Sequence, residues 1–167
     1  DAAYRDSVPE QGFYRNYIKA NTDDPAKLQT LDIVHASERG NVVMTNAPFL
    51  EVALTAQRKD QKIQAIPGDE VIVPTGKATL SVRVQCANWY DIDRVQVYLN
   101  GAPLEELNFT RANHGDKFGD EVVKFEEQIP LELKGDTHVV VMAVGENSTL
   151  GPVQGPRWGQ VQPIAVS

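Results

Sequence analysis

The chain has 167 residues, with 16 Lys+Arg against 23 Asp+Glu for a net charge of -7. That length suits about one domain, and 41% hydrophobic with 23% charged residues is the balance of a folded globular chain rather than a disordered, collagen-like or coiled-coil one. The acidic balance disfavours nucleic acid and anionic membranes as partners, and no apolar run approaches the ~20 residues of a membrane-spanning helix. Cys86 is the only cysteine, so no internal disulfide can form.

No signal-peptide pattern opens the chain. It begins at Asp1 rather than Met, which leads us to expect a processed protein or a piece of a longer one. The first third carries the only convincing helix. Asp24 suits its N-cap, Pro25 its first position and Gly40 the left-handed position past its end. Leu28, Leu31, Val34 and His35 recur at helical spacing, with Ile33 widening the stripe, so residues 25–39 are predicted to form an amphipathic helix. Asn41 to Leu54 then reads as strand, interrupted at Asn46-Ala47-Pro48, where proline marks a bulge or the join of two short strands.

Beyond residue 60 the pattern is almost wholly β. Pro67-Gly68-Asp69 and Pro74-Thr75-Gly76 read as turns. Leu80, Val82, Val84 and Cys86 alternate with Ser81, Arg83 and Gln85, the period of a strand with one buried face. Val95, Val97 and Leu99 lead into Asn100-Gly101, a strong hairpin signal, with Pro103 to Phe109 as the return strand. After a polar loop from Thr110 to Asp120, Val122 to Phe125 and then Ile129, Leu131 and Leu133 supply further strand pattern. Val139 to Val144 is a continuous apolar run, as expected of a strand covered on both faces. A Gly/Pro-rich stretch, Gly145 to Gly159, precedes Val161 and Ile164. Without helical crossovers these strands predict an immunoglobulin/fibronectin-III-like antiparallel β-sandwich. The expected division is a helix-plus-strand segment over residues 1–55 and a sandwich of roughly seven strands, arranged as a meander, over 56–167.

Chemistry-bearing residues are sparse. His35, His114 and His138 lack the close spacings of zinc sites, so no metal or other cofactor is expected. His35 is read as a packed or half-exposed helix residue and the other two as surface residues. Cys86 falls on the apolar side of its strand and is read as a small inert hydrophobe. Carboxylates of the loop Gly115 to Glu121 could ligate calcium through oxygen, but the spacing is not that of an EF-hand, and a solvated hairpin tip is the preferred reading, as for Asp91 and Asp93. Asn108-Phe109-Thr110 and Asn147-Ser148-Thr149 match the glycosylation pattern, which arises readily by chance. Trp89, Tyr90 and Trp158 lie in or beside predicted turns. They are candidates for stacking on sugar rings, set against the plainer reading that they pack on loops.

Two segments carry a resemblance. Gly12-Phe13-Tyr14-Arg15-Asn16-Tyr17-Ile18, followed by a helix ending in Arg39-Gly40 and then Val42 to Leu50, resembles the region after the last metal-binding motif in polymerase-and-histidinol-phosphatase (PHP) metallohydrolases of the carbamate-esterase-like branch. It departs at Ala47, where the family has glycine, and at Arg39-Gly40, where the order is reversed. Pro67-Gly68-Asp69, Leu80 to Val84 and Asp93 to Gly101 are similar to the β-sandwich that closes those proteins. The family's metal site is assembled on a barrel of parallel strands that precedes this region, and no His-x-His motif occurs here. The resemblance therefore implies a non-catalytic accessory sandwich, a C-terminal fragment whose partner is the missing catalytic barrel of the same polypeptide. Arg15, Tyr17 and Asn46 would then lie at the domain junction. Family members continue with one further apolar strand, so an edge open to self-association is also expected near Ser167.

Overall fold

The computed structural model describes residues 14–59, 61–151 and 155–167, with the side chains of Arg157 and Trp158 left out. It is an antiparallel β-sandwich of ten strands: β1 (Arg15–Ile18), β2 (Val42–Thr45), β3 (Phe49–Arg58), β4 (Gln61–Ala65), β5 (Lys77–Gln85), β6 (Arg94–Leu99), β7 (Ala102–Thr110), β8 (Val123–Glu132), β9 (Val139–Val144) and β10 (Ile164–Val166). One sheet has six strands in the order β1-β2-β10-β9-β6-β7, and the other has four in the order β4-β3-β5-β8.

Alternation decides the core. Along β5, Ala78, Leu80, Val82 and Val84 are buried while Thr79, Ser81 and Arg83 are half-exposed. Across from them the six-stranded sheet contributes Val43, Val95, Val97, Val141, Ala143 and Ala165 to the same cluster, with Phe125 and Ile129 from β8. Asn100 and Gly101 turn the β6–β7 hairpin with φ of 53° and 78°, the two left-handed positions that a two-residue turn of this kind requires.

Several sequence expectations need correction. The strands are not a meander. β6 and β7 lie in one sheet while β5 before them and β8 after them lie in the other, because a sandwich closes its core only if the chain crosses between layers. The helix α1 spans Thr30–Glu38 rather than 25–39. The Asp24 carboxylate accepts the Ala26 N–H at 3.0 Å and its carbonyl accepts the Lys27 N–H at 3.0 Å, so the aspartate closes a turn ahead of the helix instead of capping it. Part of the predicted stripe also faces outward, while Leu28 and Ile33 are half-buried. Leu31 and Val34 are 65% and 42% exposed, and only Ala36 is buried.

The change of character near residue 55 falls inside β3, which pairs with β5 from Phe49 to Ala56. β2 lies beside β10 in the six-stranded sheet. That last strand is itself flanked by β2 and β9. Among the described residues the free sheet edges are therefore β1, β7, β4 and β8, not the strand nearest Ser167.

Candidate functional site

The three junction residues meet where β2 crosses into β3. Asn46 is buried, and its amide bridges to the last strand. Nδ2 donates to the Gln162 carbonyl at 2.8 Å and Oδ1 accepts the Ile164 N–H at 2.8 Å. Thr45 Oγ1 donates toward the Pro48 and Ile164 carbonyls at 2.7 and 3.0 Å and accepts the Ala47 N–H. Arg15 reaches the Asn46 carbonyl from β1 at 3.2 Å. The Tyr17 ring stands edge-on to Phe49, with centroids 4.9 Å apart. Asn46 is thus a structural tie across the interruption that Pro48 imposes, while Tyr17 and Arg15 stand at its exposed rim. Gly12 and Phe13 of the same motif lie outside the described residues.

The outer face of the six-stranded sheet is apolar over β2, β10 and β9 and polar on the β6–β7 side, where Arg94 pairs with Glu146 at 2.8 Å and donates to Asn108 at 2.6 Å. Strand register aligns Met44 with Val166 and Val166 with Met142, opposite in parity to the buried Val43, Ala165 and Val141, and then Met142 with Gln96, which is itself buried. Ile18 beside Val42, Val140 beside Tyr98, and Ile164 extend the surface, while Val144 beside Ile164 is buried. Met44 is 57% exposed, and Val140 and Met142 are half-buried. The expectation that β9 is covered on both faces holds only at its end: Val144 is buried, whereas the outward Val140 and Met142 are partly covered.

At the far end of the sandwich the acidic loop keeps Asp116, Asp120 and Glu121 exposed, as a solvated tip would, but is anchored from within. Phe118 plugs into the core, and Arg111 binds Asp91 at 3.1 Å, Asp120 at 3.0 Å and the Gly119 carbonyl at 2.9 Å. Lys124 is buried and donates to the Asp120 carbonyl at 3.0 Å. Asp93 accepts from the backbone N–H groups of Glu146 and Asn147 at 2.8 and 3.0 Å. These carboxylates hold loops together through cations and amides. No group of three or more metal-ligating side chains occurs among the described residues. His35 and His138 are exposed, and His114 stands against Phe109 with centroids 5.4 Å apart.

Cys86 is buried, with Sγ 3.6 Å from the Tyr90 carbonyl, and burial pushes its pKa up to about 11 against the pull of Lys124. A thiol held protonated in this way is a poor nucleophile. Tyr90 packs on the core, its pKa raised to about 12 by burial, whereas Trp89 is 69% exposed and touches Tyr90 edge-on at 6.0 Å. The Trp158 side chain lies outside the described residues. Both glycosylation asparagines are engaged, Asn108 by Arg94 at 2.6 Å and Asn147 by Asp93 at 2.7 Å.

Sequence reasoning missed a groove of about 590 Å³ beside β3, bounded by Tyr17, Phe49, Ile66 and Pro67 and floored by β3 backbone. No family model, no curated protein and no solved structure matches the chain.

Proposed function

We propose that the chain is a non-catalytic accessory β-sandwich, one part of a larger PHP-like metal-dependent hydrolase, which docks on the catalytic barrel of the same polypeptide. The observation that carries this reading is the apolar part of the outer face of the six-stranded sheet, over β2, β10 and β9 and centred on Met44, Val166 and Met142, together with the outward Leu31 and Val34 of α1. A contiguous apolar surface of this kind marks a docking surface more often than a solvent face. Its position next to β1 and β2 fits the junction that the Arg15–Tyr17 and Asn46 motifs imply. An immunoglobulin or fibronectin-III likeness is supported by strand order, since β3, β5 and β8 stand as A, B and E would, and β6, β9 and β10 as C, F and G would.

The coding sequence preceding Asp1 tests the reading. It should specify His-x-His and the remaining carboxylate and histidine ligands of a barrel, and the purified 167-residue chain should turn over no phosphoester with added zinc or manganese. An upstream sequence without those ligands, or turnover by the chain itself, overturns it.

A second reading rests on Trp89, whose exposed ring could stack on a sugar as part of a carbohydrate-binding or adhesion module. Calorimetry with soluble oligosaccharides tests it: heat that disappears in Trp89→Ala supports sugar binding, and no heat with the native chain ends it.

A further inference from the structure

The edge of β3 is half open. β5 flanks it from Phe49 to Ala56, but β4 covers the other side only from Leu54 to Arg58. Among the described residues no strand pairs with Phe49 to Ala53 on the β4 side.

The sequence builds this gap. After the pair Leu54–Ala65 the chain turns away through Ile66-Pro67-Gly68-Asp69, where the Asp69 N–H donates to the Ile66 carbonyl at 3.0 Å. Pro67 has no N–H to continue a ladder. Gly68 has φ 87°, and a Cβ there would strike the backbone of Arg39, Gly40 and Asn41, so only glycine allows so close an approach to the end of α1. The Asn41 amide then fixes the detour, donating to the Pro67 carbonyl at 2.8 Å and to Asp69 at 3.1 Å. The groove of about 590 Å³ opens where β4 has left.

We propose that this open edge is a β-strand addition site for an extended peptide that has alternating apolar side chains and is flanked by lysine or arginine. The peptide would run antiparallel to β3, in line with β4. Five residues of β3 offer about 17 Å of backbone. Main-chain hydrogen bonds give affinity in this mode, and the flanking pockets select side chains. Native proteins blunt free edges with lysine, proline or a covering element. Phe49-Leu50-Glu51-Val52-Ala53 carries neither residue. Tyr17 and Val43 lie on the inward side of the groove and Glu51 on the outward side. Charge selects the occupant. Asp23, Glu51, Glu126 and Glu127 line the groove against Lys19 and Arg83; Arg83 is engaged by Glu51 at 3.1 Å and Glu126 at 3.6 Å and Glu127 by Lys117 at 2.9 Å, which leaves a modest acidic excess. A second copy of a chain with net charge -7 meets same-sign repulsion, whereas a basic-flanked strand does not. The proposal does not depend on the accessory-domain reading.

Titration of the full 167-residue, nitrogen-15-labelled chain with the synthetic heptapeptide Lys-Val-Thr-Val-Thr-Val-Lys tests it. Amide shifts and new exchange protection should concentrate at Leu50 to Ala53. The same peptide N-methylated on alternate residues should bind at least about tenfold more weakly, since the loss of two or so main-chain hydrogen bonds is worth that factor. A version with glutamate in place of both lysines should also bind more weakly. Equal binding of the methylated peptide, or no shifts at millimolar peptide, overturns the proposal. So does a free chain whose amides 49–53 are already protected, whether by residues 1–13 or by a dimer seen in sedimentation.

Discussion

The two sheets share one interior and turn opposite characters to the outside. On the four-stranded sheet the outward row Glu51, Arg83 and Glu126 is tied by ion pairs, and Ser81 donates to Gln128 at 2.9 Å beside it. On the six-stranded sheet the corresponding outward row runs through Met44, Val166 and Met142 before it reaches the polar Gln96 and Asn108. Strand formation asks only for one apolar parity facing the core. The other parity is free to record what lies beyond, which is solvent for one sheet and, on our reading, protein for the other.

The largest effect should come from breaking what the two faces share. Leu80→Ala, at a site 1% exposed, should cost about 2–5 kcal/mol in urea unfolding and loosen both sheets together. A cost below about 1 kcal/mol would mean that the sheets are stabilised separately.

Next is the alkaline response at the end of β5. Burial raises the Cys86 thiol to about 11 in the folded chain from an ordinary 9.0, so the unfolded chain releases this proton first as pH rises. The resulting stability is fully present below pH 9 and is lost progressively between pH 9 and 11. Two units correspond to roughly 2–3 kcal/mol, and Cys86→Ala should flatten that part of the stability–pH curve.

Asn46→Ala removes the tie between the β2–β3 crossing and the apolar sheet. It leaves the Ile164 N–H without its acceptor, which should cost about 1–3 kcal/mol, with exchange at Ile164 accelerated before exchange in β5. The smallest effects separate the two outer faces. Arg83→Ala should change stability by about 0–1 kcal/mol, and by less at high salt. Met44→Lys should stay within about 0.5 kcal/mol in the chain alone yet reduce binding of a hydrophobic dye. A large stability loss from Met44→Lys would show the face to be core rather than surface.

Much of this fold was legible from period two. β5, the Asn100-Gly101 hairpin and the break at Pro48 are local events, set by residues adjacent in sequence. The outward stripe of α1 was not, since helical spacing identifies an apolar face without saying which neighbour, if any, will cover it. The anchoring of the acidic loop was hidden for a related reason. Arg111 and Lys124, which neutralise Asp91, approach it from elements well removed in sequence. The groove was invisible because it consists of a strand's missing neighbour, although Pro67-Gly68-Asp69 was recognised as a turn. Arg15, Tyr17 and Asn46 were singled out by resemblance alone, and their clustering depends on the pairing of β1, β2 and β10.

The bond from Thr45 to the Ile164 carbonyl spans 119 positions, and β2 has no second flank until residues 164–166 arrive. Closing so distant a contact is slow. On the ribosome, β3 and β5 can pair soon after they emerge, but β2 must wait for nearly the entire segment to be synthesised. At about 5–20 residues per second that interval lasts many seconds, during which Met44 and its neighbours are open to wrong partners. The Asn46 tether fastens only when translation has passed residue 164, so a ribosome stalled upstream of that point would hold a half-built sheet.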